Sequence, residues 1–213
     1  MNIHLIAPKD KNKWNPIWHH CYKIFNSSPY TIKLWHDEEI DKELNNDDPD
    51  FFNILNKCPN IYKWDYFRYL LLEKYGGAYF DMDIEVKRDF FSLLDSNKIY
   101  LAGGYCSSGV EPSIMIANRN QFTSTFFYSL KLFIQDRVMK EDVYPNTWVN
   151  VVWKTGPWAL SFYLNHWIMN NTDKNIDILP YDLFSKQEHS LSYSVHHFTN
   201  EWHEGESIKS PSI

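Results

Sequence analysis

The spacing of apolar and polar positions changes several times along the chain, and each change predicts an element. Residues 2–7 form a short, mostly apolar run closed by Pro8 and a charged loop, the pattern of a buried strand. Pro16 suits a first helical turn, with Ile17, Trp18, Cys21 and Ile24 following at helical spacing. Residues 31–35 alternate as a second strand, and Asp50 is placed to cap a helix running to Lys57. The most regular stretch is 61–75, where Trp64, Phe67, Leu71 and Tyr75 recur at helical spacing and predict an amphipathic helix. Gly76 or Gly77 is its stop, where a positive φ is needed. A short apolar strand, Ala78-Tyr79-Phe80, then runs into Asp81-Met82-Asp83. After Ile84-Glu85-Val86 come a turn and a short helix near 90–94. Strands are expected at 99–103 and 113–117, long helices at 122–138 and 158–169, and weaker strands at 176–179 and 193–198. This alternation favours a layered α/β domain with a mainly parallel sheet.

Composition narrows the class. The 213 residues are 44% hydrophobic and 23% charged, an ordinary globular balance. The net charge of −6 argues against a duplex nucleic-acid binder, which needs a broad basic face. Most of it lies in 37–50, where eight acids face one lysine and predict a solvated helix and loop. Three cysteines far apart, with no CxxC spacing, fit a reducing compartment and exclude a zinc framework. No apolar run reaches the length of a membrane span, and the start is too polar for a signal peptide, so a cytoplasmic protein is expected. The polar tail 203–213 reads as a possible linker to a further domain, leaving 1–202 as one domain. Glycine is scarce, seven in all, and four fall in the pairs Gly76-Gly77 and Gly103-Gly104.

The sharpest chemical feature is Asp81 and Asp83, one residue apart at the end of a buried strand. In extended backbone both carboxylates face one side, with Met82 turned into the core. Two hard oxygen ligands with room for phosphate oxygens suit Mg²⁺ or Mn²⁺. A DxD phosphatase is a weaker reading, because Glu85 stands where that motif wants Thr or Val, on the third strand instead of the first. Upstream, Asp65 and Arg68 share a helix face and interrupt an apolar surface, as a structural ion pair or as a grip on a sugar hydroxyl.

The run from Asp65 through Arg68-Tyr, Tyr75-Gly-Gly and Asp81-Met-Asp83 resembles the DxD sugar-binding region of glycosyltransferases, most of all family 32 with its capsular, mannosyl and toxin-type transferases. Thr155-Gly156-Pro157 matches a short motif of that family, and Val195-His196-His197-Phe198…Trp202 is similar to its C-terminal block. In that block Asn200-Glu201-Trp202 replaces the common Gly-Ser-Trp.

The resemblance implies a GT-A fold, a single Rossmann-like nucleotide-sugar-binding domain with a mixed central sheet flanked by helices. It also implies metal-dependent, retaining transfer of a hexose from a UDP-sugar to an oligosaccharide or glycoprotein acceptor. Asp83 is the expected main ligand of Mn²⁺ (or Mg²⁺), and Asp81 a contact to metal or ribose. One of the two histidines is the third ligand, His197 by register with the family motif and His196 as the alternative. Asp65 and Arg68 are expected to grip the donor sugar. Ala7 and Pro8 would contact the base by backbone, with Trp14 or Tyr69 stacking on it. Gly103-Gly104 would pass beside the sugar, Lys154 and His203 would meet the diphosphate, and Glu111 would orient the acceptor. The competing readings are a non-catalytic sugar- or nucleotide-binding adaptor, and a GDP-mannose-dependent transferase.

Overall fold

The centre of the structure, a computed structural model, is a helix with scarcely any exposed side. It describes residues 1–104, 109–140, 147–173, 175–185 and 189–199. Helix α4 (Asn60–Lys74) buries ten residues, Asp65 and Arg68 among them. A helix apolar all round must be enclosed. Here the cover comes from α2 (Asp37–Asp47), α3 (Pro49–Leu55), α5 (Gln121–Met139) and the main sheet. The expected amphipathic helix is therefore a core helix, and Tyr75, at its end, is exposed. The acidic stretch is helical as expected, but the helix after it, α3, ends at Leu55 and is capped by Asp48, which accepts from Phe51 N at 2.9 Å. Asp50 lies in the first turn of α3.

The six-stranded sheet runs β2 (Thr31–Trp35), β1 (Asn2–Ile6), β3 (Gly77–Phe80), β6 (Val110–Ala117), β5 (Ile99–Gly103), β7 (Ile176–Leu179). Strands β2, β1 and β3 are parallel, β6 is antiparallel to both neighbours, and β5–β7 is parallel again. The sheet is thus mixed. Helix α1 (Pro16–Asn26) connects β1 to β2 on one side, and the chain then crosses to β3 on the other side of β1. Such a reversal leaves a crevice at the carboxyl ends of β1 and β3, where α/β sheets bind ligands.

The Gly76-Gly77 pair makes this geometry possible. Both have positive φ, +61° and +94°, and a Cβ on Gly77 would meet Asn2 O at 2.4 Å. Only glycine combines that backbone with so close an approach. A second, two-stranded sheet pairs β4 (Ile84–Val86) antiparallel with β8 (Ser194–His196), Ile84 opposite His196. Sequence periodicity did not predict α6 (Trp148–Lys154), which stops at Thr155-Gly156 before α7 (Pro157–Asn170). A short α8 (Tyr181–Phe184) precedes β8.

Candidate active site

Asp81 leaves the sheet immediately after β3, its N–H still bonded to Ser113 O at 2.9 Å. The chain then turns, with Ile84 N donating to Asp81 O at 3.1 Å. Asp81 and Asp83 consequently converge through a turn and not through the extended backbone expected from their spacing. Met82 is buried, as expected.

Among the described residues, Asp81, Asp83 and His196 form a group whose ligand atoms all lie within 4.8 Å of one another. His196 Nε2 is 3.3 Å from Asp83 Oδ1. His197 instead directs Nε2 to Glu85 Oε2 at 3.0 Å. Of the two histidines, the structure therefore groups the alternative, His196, with the aspartates, and His197 lies apart from them. Neighbours on a strand face opposite ways, and an unbroken ladder would put Asp83 on the side of Glu85 and His197. Because Asp83 sits in the turn, its carboxylate swings to the other side, where His196 stands.

Thr199 completes the Asp83 environment, donating from N at 2.8 Å and from Oγ1 at 3.0 Å to Oδ2. Phe198 makes this return possible with φ +49°. Such a backbone costs on the order of 1–3 kcal/mol in a bulky residue and is retained where surrounding contacts enforce it. Its ring stacks on His196 at 3.8 Å. Neither residue's role was readable from periodicity; the signal was their place directly after the His-His pair.

Arg68 supplies the positive counterpart. It pairs with Asp65 through Nη2, reaches Asp81 Oδ1 at 3.5 Å and donates to Pro112 O at 3.3 Å. Asp65 also accepts from Thr155 Oγ1 at 2.7 Å, so the Thr-Gly-Pro segment anchors the pair. Tyr79 OH donates to Asp81 Oδ1 at 2.7 Å. Buried Arg68 Nε and His196 Nδ1 have no hydrogen-bond partner. Orphaned buried donors of this kind mark a place where a bound group can complete the network.

The charges are strongly perturbed. Burial opposes ionisation of Asp83, yet hydrogen bonds from His196 and Thr199 outweigh it and hold the carboxyl at about 2. Burial likewise disfavours the imidazolium of His196, but Asp83 and Glu111 push it up to about 10. Burial raises Asp81 above the usual carboxylate range, with Arg68 pulling down and Asp83 pushing up. Its side chain is still 27% exposed, which leaves it open to a ligand. Oxygen-rich donors with one imidazole and a nearby guanidinium fit a hard divalent cation carrying phosphate.

Other expected contacts lie elsewhere. Tyr69 is fully buried, its OH donating to Thr155 O at 2.9 Å, so it has no face for a base. Trp14 is also buried, bracing the post-β1 loop through Nε1 to Pro8 O at 2.8 Å. The Ala7 carbonyl accepts from His36 Nδ1 at 2.8 Å and Ala7 N bonds Trp35 O at 3.1 Å, so this backbone is occupied within the protein. Gly103 is required by β7, since a Cβ there would lie 2.9 Å from Leu179 O. Gly104 N bonds Gly109 O at 2.9 Å, between the end of β5 and the start of β6. Lys154 is buried with Nζ 3.5 Å from Arg137 O of α5. His203, with the tail 203–213, lies outside the described residues. Glu111 does face the site, 3.8 Å from His196 Nδ1.

Comparison with known proteins bears on the family and the fold. Residues 12–100 match the family described as glycosyltransferase sugar-binding region containing DXD motif. Inositol phosphoceramide mannosyltransferase 1 of Schizosaccharomyces pombe is 33% identical over 91 residues, 40% of this chain and 28% of that protein. Inositol phosphoceramide mannosyltransferase 3 of the same yeast is 25% identical over 182 residues, 83% of this chain and 48% of that protein. The chain thus spans less than half the length of either relative. Among solved structures, PaToxG glycosyltransferase superposes with a TM-score of 0.54 at 17% identity, over 79% of this chain and 68% of that one. Among the described residues, no helix is long and apolar enough to cross a membrane. Residues 12–100 are thus similar to the sugar-binding region of the DXD glycosyltransferases, and the chain has a GT-A fold.

Proposed function

We propose that the protein is a metal-dependent, retaining hexosyltransferase that takes its sugar from a nucleotide diphosphate donor, a UDP-sugar, and passes it to a glycan hydroxyl. The observation that carries this reading is the convergence of Asp81, Asp83 and His196 beside Arg68 at the carboxyl edge of the sheet. These three side chains would hold Mn²⁺ or Mg²⁺, which when bound offsets the charge of a departing diphosphate. Arg68, held rigid by Asp65, Asp81 and Pro112 O, keeps a guanidinium next to that charge without reorganising. Asp65 is turned to Arg68 and Thr155, so its role is to orient Arg68 more than to grip a sugar. The retaining course follows the family resemblance, in which the leaving phosphate accepts the acceptor's proton and no protein nucleophile is needed.

The names of the two yeast relatives favour a second donor reading, a mannosyl nucleotide such as GDP-mannose. A reducing, cytoplasmic setting is supported by Cys21 and Cys58, which are buried free thiols. Thermal melts with UDP, GDP or CMP, each with and without Mn²⁺, test the assignment. One diphosphate nucleotide should raise Tm strongly, and only with metal. Stabilisation by UDP supports the first donor and by GDP the second. Equal shifts with and without Mn²⁺ overturn the metal dependence.

A further inference from the structure

His196 is held from two sides, and the two contacts are unequal. Its Nε2 faces Asp83 within the carboxylate cluster, whereas Nδ1 is buried without a hydrogen bond. The acidic group facing Nδ1 is Glu111, its Oε2 3.8 Å away, just beyond hydrogen-bond reach. Glu111 arrives there through an irregularity in the sheet. Strand β5 pairs Leu101 with Met115 but its next residue, Ala102, with Glu111. Residues 112–114 of β6 therefore bulge out of the β5–β6 pairing, while Ile114 keeps its partner Phe80 in β3. Bulges re-aim side chains beside active sites, and Pro112 is tolerated in one because it owes the ladder no N–H. The same bulge supplies Pro112 O to Arg68 and Ser113 O to Asp81 N. One local distortion thus serves the guanidinium, the first aspartate and the histidine together.

An imidazole that ligates a cation through Nε2 carries its single proton on Nδ1. Such ligands usually donate that proton to a carboxylate or carbonyl, which fixes the tautomer and the ring orientation. Phe198 already fixes the plane of the ring by stacking on it. What the ring lacks is an acceptor for Nδ1–H, and Glu111 is in place to become one after a shift of under an ångström. We infer that Glu111 is a positioning residue for His196, taking Nδ1–H so that the Nε2 lone pair faces the cation. This rests on the metal-dependent reading above, and it replaces the acceptor-orienting role expected for Glu111 from sequence.

The test uses the protein with the cation alone. Mn²⁺ affinity is measured calorimetrically for the wild type, Glu111→Ala, Glu111→Gln and His196→Ala, alongside metal-free thermal melts. The Nδ1–H hydrogen bond of His196 is read from its ¹H and ¹⁵N NMR signals with Mg²⁺ bound. Glu111→Ala should weaken Mn²⁺ binding by about 10–100-fold while leaving the metal-free Tm in place, and should lose the downfield, exchange-protected Nδ1–H signal. Glu111→Gln, whose amide oxygen still accepts, should keep that signal and bind Mn²⁺ with intermediate affinity. Wild-type affinity and an unchanged Nδ1–H signal in Glu111→Ala overturn the inference while the metal site stands. If the wild type binds Mn²⁺ no better than His196→Ala, the metal reading falls and this inference with it.

Discussion

The two faces of the β4–β8 ribbon use almost the same residue types and reach opposite electrostatic results. On one face His196 stands between Asp83 and Glu111, with Asp81 beside them. Carboxylates outnumber the histidine there, and the nearby Arg68 is already shared between Asp65 and Asp81. On the other face a single carboxylate, Glu85, meets His20 at 3.0 Å, Lys87 at 2.7 Å and His197 at 3.0 Å. That cluster has no negative charge to spare. Burial works against Glu85, but its Lys87, His20 and His197 partners hold it at about 2. An acidic residue beside a histidine therefore says little about metal binding. The deciding quantity is whether basic groups have already answered the acids.

The largest expected effect comes from removing the front-face charge. Asp83→Asn should lower metal-dependent donor hydrolysis by about 10²–10³-fold, as for loss of one charge-stabilising group in a transfer reaction. Steady-state hydrolysis of the nucleotide sugar with Mn²⁺ checks this, and unchanged turnover removes the ligand role. The paired substitutions His196→Ala and His197→Ala split the comparison more finely. The first should abolish measurable Mn²⁺ binding. The second should leave it intact and cost about 1 kcal/mol of stability through the lost Glu85 hydrogen bond, read by urea denaturation.

Acid titration probes the back face. Glu85 has a folded value of about 2 against an ordinary 4.5, so between them the unfolded chain binds more protons. Its stabilisation is full above 4.5 and is lost as pH falls towards 2; Glu85→Gln should flatten that part of the stability–pH curve. The smallest effect concerns His4, buried with Nε2 donating to Gly76 O at 3.0 Å and Nδ1 accepting from Trp35 at 3.1 Å. Burial lowers its pKa below 6.5, so its contribution is present above 6.5 and is lost as pH falls below that value. His4→Gln should remove this shallow dependence without touching Mn²⁺ affinity.

What was legible in the chain followed from local rules. The Gly76-Gly77 stop, the strand into Asp81 and the strand positions 31–35, 99–103 and 176–179 rest on periodicity and turn chemistry, which act between near neighbours. The choice between His196 and His197 was not local. It depends on the 81–84 turn, which breaks strand parity, and on the pairing of β8 with β4 more than a hundred residues earlier. Lys154 and Tyr69 were misplaced for a related reason. Periodicity shows that a side chain faces inward, but only the packing of α6 and α4 shows what it meets there. That Glu111 faces His196 could not be read from alternation either, because it depends on a three-residue bulge in the β5–β6 pairing.

The contrast between the two faces is tested most directly by anomalous diffraction from crystals grown with Mn²⁺ and the nucleotide diphosphate that stabilises the protein. One Mn²⁺ peak enclosed by Asp81, Asp83 and His196 is expected, with none at Glu85. A peak among Glu85, His20 and His197, or no ordered cation with the nucleotide bound, would contradict it.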